Sequence, residues 1–305
     1  MAITKEQREA RRRVIGASDV GAICGANRWA TARDIWTRKV YQTHDTSSKA
    51  AERGTMLEDS ILRWCEENNP QVVPEGMVMS DNILFSRTTP GGTPIAANTD
   101  AVVWSGNPEM VLQWEEQEKP VPRVIAEVPV AVVEAKTSRL IEEWGSSHTD
   151  EIPETYILQV QTQMWTSGST VAWVPALLGD LDFRIYKVEY SPEIMNIVLP
   201  ALDNFWRCVQ NKTPPQGPPP SLSTLRSISR DEEVVTELGQ DEEAIVRQWL
   251  EAKEAKKIAT KAEADLKSEL VAALGVSEVG VGKSGVLMYT KDSRGARTLR
   301  WTEDK

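Results

Sequence analysis

The sequence has few cysteines and no long apolar run, and both shortages exclude whole classes of protein. Its 305 residues include three cysteines, Cys24, Cys65 and Cys208, which are odd in number and far apart. This distribution argues against a disulfide framework, a CxxC zinc site and a four-cysteine iron–sulfur cluster, and it suits a reducing cytoplasm. No apolar stretch reaches the length of a transmembrane helix, and residues 1–8 lack the apolar core of a signal peptide. We therefore expect a cytoplasmic protein without a membrane partner.

Positive charge is also in short supply, because the formal net charge is −10. An acidic balance does not exclude nucleic acid, but any contact with DNA must then come from a local basic patch or from metal ions. The densest basic cluster is Arg11, Arg12 and Arg13, which is either a solvated helix face or a phosphate clamp. Ser18 precedes an apolar stretch and predicts an N-cap, and a helix N-terminus beside arginines would also bind an anion.

The sequence predicts one large α/β domain with an appendage. Residues 213–220 read TPPQGPPP, which is typical of a stiff polyproline linker. We therefore divide the chain into a domain at 1–212, a linker at 213–220 and an appendage at 221–305. In the appendage, the charged, alanine-rich stretch 231–274 predicts one long helix or a helical hairpin broken near Gly239. Residues 279–301 alternate with glycines and predict a small β-hairpin.

Upstream of the linker, helical and strand patterns follow each other along the chain. Apolar periodicity predicts helices at 31–41, 53–68, 153–167 and 191–209, and alternation predicts strands at 72–85, 95–104, 124–136, 170–178 and 182–189. Pro153 and Gly168 mark the two ends of the third helix. Gln159 and Gln163, one turn apart, form a polar line on that helix.

The most informative stretch is an apolar, β-branched run that ends in Glu134-Ala135-Lys136. Alternation along a strand puts Glu134 and Lys136 on the same face. A carboxylate and an ammonium at the end of a buried strand are costly unless they serve each other or a ligand. Taken alone, the two form a strand-edge ion pair or half of a functional site. Asp100 stands just before another apolar stretch and also needs a partner, since aspartate is depleted in strands.

Two acids from adjacent strands and a lysine are the groups that hydrolysis of a phosphodiester needs. A metal ion generates hydroxide and neutralises the developing charge, and magnesium binds through one or two carboxylates together with phosphate and water. A lysine orients the attacking water or stabilises charge in the transition state. Asp100, Glu134 and Lys136 thus match the sparse pattern of the PD-(D/E)xK nucleases, although chance matches to that pattern are abundant.

The order of short motifs makes the match more specific. The chain contains, in order, Gly16-Ala17-Ser18-Asp19-Val20, Arg53-Gly54-x-x-x-Glu58, Asp100, Glu134-Ala135-Lys136-Thr137 and Tyr156-x-x-Gln159-Val160-Gln161-x-x-Met164-Trp165. This ordered set resembles the lambda-exonuclease/YqaJ family of viral recombinases over about residues 11–209. The resemblance implies a restriction-endonuclease-like core, with a mixed central sheet flanked by helices. It also implies processive 5′→3′ digestion of linear duplex DNA that leaves a 3′ single strand.

The same resemblance implies a role for each matching residue. Asp100 and Glu134 would bind the metal together with the Ala135 carbonyl, and Lys136 would be the catalytic lysine. Glu58 would be an acidic ligand or hold water at a second metal, and Gln159 would position the nucleophilic water. Ser18 and an arginine of the 11–13 cluster would hold the 5′-side phosphate, Arg11 having the matching offset from Ser18.

The implied cofactor is Mg²⁺, for which Mn²⁺ can substitute, and no iron–sulfur cluster is expected. The implied partners are double-stranded DNA with free ends, a single-strand annealing protein and further copies of the chain in a trimeric ring. A phage or prophage source follows, with the protein in the bacterial cytoplasm. The long insert at 105–123 and the tail beyond the linker depart from the family pattern, so the oligomer geometry stays open.

Two other interpretations remain. One keeps the fold without processive end digestion, as a PD-(D/E)xK endonuclease or repair nuclease, which closed circular plasmid would reveal as a substrate. The other is a non-catalytic DNA-binding or scaffold protein with the tail as its interaction module. Metal-dependent release of nucleotides from linear duplex separates these possibilities.

Overall fold

The computed structural model describes residues 10–41, 43, 49–105, 129–230, 233–291 and 295–303, and it divides the chain into two compact units. The first unit is Met1–Arg230 and the second is Asp231–Lys305. The proline-rich segment 213–220 lies within the first unit. Ser221, the residue that follows this segment, is anchored to the first unit. Its main-chain N–H donates a hydrogen bond to Oδ1 of Asp34 at 2.7 Å.

A mixed sheet forms the centre of the first unit. Its described strands are β1 (Ile15–Gly16), β2 (Met77–Thr88), β3 (Pro94–Ser105), β4 (Ala131–Val133), β5 (Lys136–Ser138), β6 (Val171–Leu178) and β7 (Asp182–Glu189). Strand β3 pairs with β2 and β4 in antiparallel fashion and with β1 in parallel. Strand β6 pairs with β4 and β5 in parallel and with β7 in antiparallel fashion.

Helices cover the sheet. They are α1 (Val20–Ile23), α2 (Ala32–Val40), α3 (Lys49–Asn68), α4 (Glu154–Ser167), α5 (Pro192–Gln210) and α6 (Leu222–Ser227). Strand β4 shows the layering, because Val132 packs in one apolar cluster with Val160 and Met164 of α4, whereas Val133 packs in another with Leu62 of α3. Successive side chains of a strand point to opposite faces, so α3 and α4 lie on opposite faces. The predicted mixed sheet flanked by helices is confirmed.

Helix α4 has the ends that its sequence predicts. Pro153 occupies the N-cap, and Gly168 follows the helix with a φ of 82°, in the left-handed region, which glycine enters without a Cβ clash. Most of the helix is buried, including Gln159, Gln161 and Gln163. Three buried glutamines on one helix must each find a hydrogen-bond partner, and two of them find it in the site described below.

The return strand differs from its prediction. A single strand at 124–136 was expected, but the chain forms two short strands, β4 and β5, separated by Glu134 and Ala135. Residues 106–128, which hold most of the expected insert, lie outside the described residues. Both short strands pair in the same register with β6, Val132 opposite Ala172 and Lys136 opposite Ala176. The break therefore frees two residues from β3 without displacing the chain along β6.

The second unit contains α7 (Gln240–Leu274) and an antiparallel sheet of β8 (Val279–Gly282), β9 (Gly285–Lys291) and β10 (Arg297–Glu303). The stretch predicted as one helix or a broken hairpin is a single helix, which begins after Gly239. The expected hairpin has a third strand, with β9 in the centre. None of the described helices in either unit is long and apolar enough to cross a membrane.

Candidate active site

The acids of the candidate site face each other where β4 leaves β3. The ladder between these strands ends with Ala101 opposite Val133, so Asp100 and Glu134 are the next opposed residues in the same register. The main-chain N–H of Glu134 still donates to the Trp173 carbonyl on β6, at 3.0 Å. The N–H of Ala135 turns to the Asp100 carboxylate, donating to Oδ2 at 2.8 Å. Two acids from distant parts of the chain are thus held side by side by the end of one ladder.

Three side-chain donors converge on the Glu134 carboxylate, which is only 4% exposed. Lys136 Nζ and Gln159 Nε2 both donate to Oε1. Gln163 Nε2 donates to Oε2 at 2.6 Å. Several donors on one buried carboxylate hold it in a single orientation. The orientation of Glu134 is therefore fixed from both of its oxygens.

Lys136 is a cation rather than a base in this arrangement. Burial alone would lower the pKa of its ammonium, but the Glu134 and Asp100 carboxylates outweigh burial and raise the pKa above its usual value. The Nζ atom also lies 5.2 Å from the centre of the Tyr156 ring, which adds a cation–π contact. A lysine that keeps its proton can stabilise negative charge and orient water, but it cannot abstract a proton.

The surroundings of Asp100 oppose the charged form of its carboxyl group. Burial is the main cause that raises its pKa to about 8, and Glu134 and Glu58 add to the rise, against smaller opposing effects of Lys136 and the Ala135 N–H. Glu58 faces the same group of charges, because burial and then Glu134 raise its pKa as well. One lysine among these carboxylates leaves room for a further positive charge.

The donor set fits a divalent cation of the magnesium class. The Asp100 and Glu134 carboxylates and the Ala135 carbonyl are hard oxygen ligands, and magnesium needs only one or two carboxylates beside water and phosphate. A divalent cation would also relieve the excess negative charge around Asp100. In the part of the chain that the structure describes, no three side chains of histidine, cysteine, aspartate or glutamate form a metal-binding group. Glu58 is therefore not brought into a common cluster with the two acids.

Gln163 belongs to the site, although sequence reasoning placed it only on the polar line with Gln159. It is fully buried, and its amide also donates to the Asn98 carbonyl at 3.0 Å. Its Oε1 atom is buried and has no hydrogen-bond partner among the described residues. The signal in the sequence was the four-residue spacing from Gln159, which puts both amides on one face of α4. What the sequence could not show is that Glu134 lies opposite that face.

The arginine cluster is used differently from its prediction. Arg12 donates from Nε and a terminal nitrogen to the Lys39 and Val40 carbonyls, at 3.0 and 3.1 Å, and so satisfies the C-terminal carbonyls of α2. Arg12 therefore serves the fold, which removes it from the candidate phosphate ligands. Arg11 and Arg13 are exposed and keep that candidacy.

The predicted N-cap at Ser18 is wrong. Ser18 is exposed within a short 3₁₀ turn, and Asp19 occupies the cap position of α1. The reason is that Asp19 pairs with the buried ammonium of Lys39, Nζ to Oδ2 at 2.9 Å, and accepts from the Gly16 N–H at 3.3 Å. These contacts fix the turn without the Ser18 hydroxyl, which leaves that hydroxyl open to solvent.

A hollow of about 390 Å³ opens beside the site, and Tyr156 is one of its lining residues. Sequence reasoning did not single out its outer wall, which includes Arg28 and Trp29. Trp29 is 64% exposed, and the Asn27 side chain holds its loop by accepting from the Trp29 N–H at 2.8 Å. The hollow offers an open approach to the tyrosine that contacts Lys136.

Comparison with known proteins finds a matching family and a curated relative that carries the same family name. Residues 7–170 match the family of YqaJ-like viral recombinase domains. The uncharacterized protein YqaJ of Bacillus subtilis (strain 168) is 27% identical over 202 residues, which are 64% of this chain and 53% of that protein. The chain thus spans about half the length of the curated relative that it matches.

Solved structures show similarity at lower identity. The alkaline exonuclease LHK-Exo of Laribacter hongkongensis is 17% identical, with 69% of this chain and 94% of that chain covered and a TM-score of 0.47. A phage-related exonuclease of Haemophilus somnus 129PT is 13% identical, with 65% and 96% covered and a TM-score of 0.41.

Proposed function

The chain belongs to the family of YqaJ-like viral recombinase domains, and on that premise we propose that it is a metal-dependent nuclease that hydrolyses the phosphodiester bonds of DNA. The observation that carries the proposal is the opposed pair of Asp100 and the buried Glu134 at the break between β4 and β5, with the Lys136 ammonium donating to Glu134. Two opposed carboxylates and a protonated lysine are the groups that this hydrolysis needs.

We further propose that the enzyme digests linear double-stranded DNA from free ends in the 5′→3′ direction. The product is a 3′ single strand that a single-strand annealing protein takes into phage-type homologous recombination. The ordered family motifs support this choice. We propose in addition that the chain is a phage protein that acts in the bacterial cytoplasm. It would assemble there as a homo-oligomer in the form of a trimeric ring.

In the proposed reaction, Asp100, Glu134 and the Ala135 carbonyl would hold Mg²⁺ or Mn²⁺. The ion would supply Lewis-acid activation of water and neutralise charge on the phosphate. Lys136 keeps its proton and stabilises the negative charge that develops on the phosphate oxygens. Gln159 gives its N–H to Glu134, which leaves its amide oxygen to orient the attacking water. Gln163 fixes the second oxygen of Glu134.

The remaining family roles fall on residues around this centre. Glu58 orders water or a second ion from α3. The Ser18 hydroxyl and the Arg11 or Arg13 guanidinium hold the phosphate on the 5′ side, since all three are exposed. Exposed cations attract phosphate without reading sequence, which suits an enzyme that degrades any linear duplex.

The test compares a 5′-phosphorylated linear duplex with closed circular plasmid in Mg²⁺, in Mn²⁺ and in EDTA. We expect the wild type to release nucleotides from the linear substrate but not from the plasmid, and only when metal is present. The Lys136→Ala variant should release none. Lys187→Ala is the matched control, because this exposed lysine lies outside the site and pairs with Glu189 at 2.9 Å. Separate labels at the 5′ and 3′ ends report the polarity.

Each other outcome of this assay selects another interpretation. Cleavage of closed circular plasmid would indicate an endonuclease of the same fold. An intact linear duplex in both metals would indicate a non-catalytic DNA-binding or scaffold protein and would overturn the proposed activity.

A further inference from the structure

Helix α7 has an apolar side that no other described element of the second unit covers. The helix has 35 residues, none of them buried, and spans about 52 Å at the usual rise. Ile245 is 64% exposed, Trp249 59%, Leu266 59% and Leu270 45%. Helices in proteins gain most of their stability by packing an apolar face, so a helix of this length calls for a partner.

The exposed side chains follow a heptad repeat. The positions, here called the seam, alternate in steps of four and three residues and are Ile245, Trp249, Ala252, Lys256, Ala259, Glu263, Leu266 and Leu270. Steps of four and three keep side chains on one stripe of a helix and are the spacing of coiled-coil core positions. The charged Lys256 and Glu263 occupy two of these positions near the middle.

The seam reads alike from its two ends. Two large apolar residues stand at each end, and alanines alternate with the charged residues between them. In an antiparallel pair of identical helices, one register puts Ile245 against Leu270 of the second copy. The same register puts Trp249 against Leu266, Ala252 against Glu263 and Lys256 against Ala259. Every large side chain then meets a large one, and every charged side chain meets an alanine.

The two charged positions decide the direction of pairing. A parallel pair in register would place Lys256 against Lys256 and Glu263 against Glu263, and like charges desolvated in a core are strongly destabilising. In the antiparallel register, the alanine opposite each charge leaves room for the long side chain to reach the rim. Lys256 then lies about one helical turn from Glu263 of the second copy, where opposite charges attract.

We propose that the seam of α7 binds a second copy of this chain in an antiparallel coiled coil. The contact is isologous, because the two copies use the same surface: Ile245 of each copy meets Leu270 of the other across a two-fold axis. It assigns the second unit an assembly role that is separate from phosphodiester hydrolysis in the first.

Disulfide trapping tests the direction and register in the full chain. Cys24 and Cys208, which are not fully buried, are first replaced by serine. The Ile245→Cys, Leu270→Cys double variant should form a covalent dimer under mild oxidation, and neither single variant should. The two copies of residue 270 stand about 37 Å apart in the antiparallel register, given the helical rise. Efficient crosslinking of Leu270→Cys alone would show a parallel pair and overturn the proposal.

Sedimentation tests the seam without cysteines. Leu266→Lys should lower the mass of the assembly. Ile258→Lys, which also replaces an aliphatic side chain by lysine but at a 62% exposed position off the seam, should not. Circular dichroism checks that both variants keep their helix content. Equal masses for wild type and Leu266→Lys, or a wild type without α7-mediated dimers, would overturn the proposal. Nuclease assays on the same samples report separately on the proposed activity.

Discussion

Replacing Asp100 by asparagine should stabilise the metal-free protein and abolish nuclease activity. The wild-type carboxylate is buried beside Glu134, and that environment raises its pKa to about 8. Asparagine keeps the size and an oxygen that accepts from the Ala135 N–H, which now binds Oδ2 at 2.8 Å. It removes the ionisable group and with it a carboxylate ligand for the metal. Stability and activity should therefore change in opposite directions.

The magnitude follows from the shifted pKa. A rise from 3.8 to about 8 corresponds to roughly 6 kcal/mol when the group is ionised in both states, at about 1.4 kcal/mol per pKa unit. Effective dielectric screening inside proteins reduces such values, so we expect a gain of ~2 kcal/mol in the free energy of unfolding. For a unit of this size, that gain raises the melting temperature by about 4–8 °C.

The sign of the pH dependence is fixed by the direction of the shift. An acid whose pKa is higher in the folded state costs no stability below its unfolded pKa, near 3.8. The cost grows as the pH rises towards about 8, where the folded form also ionises. The advantage of Asp100→Asn in EDTA should therefore be large at pH 8 and vanish near pH 4.

The assay is thermal unfolding in EDTA at pH 4, 6 and 8, with Asp180→Asn as control. Asp180 is exposed in the turn between β6 and β7, and its replacement should change stability by less than about 0.5 kcal/mol. Addition of Mg²⁺ should stabilise the wild type more than Asp100→Asn. A variant that melts at or below the wild-type temperature at pH 8 in EDTA would refute the argument that Asp100 is a buried, undercompensated charge.

Three further predictions concern the surroundings of the site. Gln163→Leu removes a hydrogen bond to the Glu134 carboxylate and should slow nucleotide release about tenfold or more. The control Gln161→Leu loses hydrogen bonds to main-chain groups, so it should lower stability in urea and leave kcat unchanged. Equal rates for both variants would contradict this assignment. Gly21→Ala places a Cβ 3.1 Å from the main chain of α4, so urea unfolding should show a loss of about 1–3 kcal/mol, and an unchanged midpoint would refute that close approach. Hydrogen bonds lower the pKa of the buried Asp34 carboxyl, although burial opposes them. Asp34→Asn should therefore lower the free energy of unfolding by about 1–3 kcal/mol at pH 7, and the difference from wild type should shrink as the pH falls below 3.8. A difference that grows in acid would contradict this prediction.

Elements with local signals could be predicted directly from the residues that form them. Pro153 and Gly168 bound α4 as expected, because each acts on its own backbone angles. The alternating strands β6 and β7 follow their apolar patterns, since burial of one face is written into every second residue. Asp100 and Glu134 could be predicted as site residues because charged groups beside apolar runs need partners.

Contacts between distant parts of the chain could not be predicted in the same way, because they depend on how the elements pack. Gln163 acts on Glu134 across 29 positions of the chain, and no local pattern carries a contact of that range. Ser18 and an arginine of the 11–13 cluster were expected to hold a phosphate. The carbonyls at the end of α2 accept hydrogen bonds from Arg12, and the pair of Asp19 with Lys39 makes a Ser18 cap unnecessary. The break between β4 and β5 likewise depends on where pairing with β3 ends. Buried charges and unpaired backbone groups bind the partners that folding brings close to them. Which partners these are depends on the fold of the whole chain.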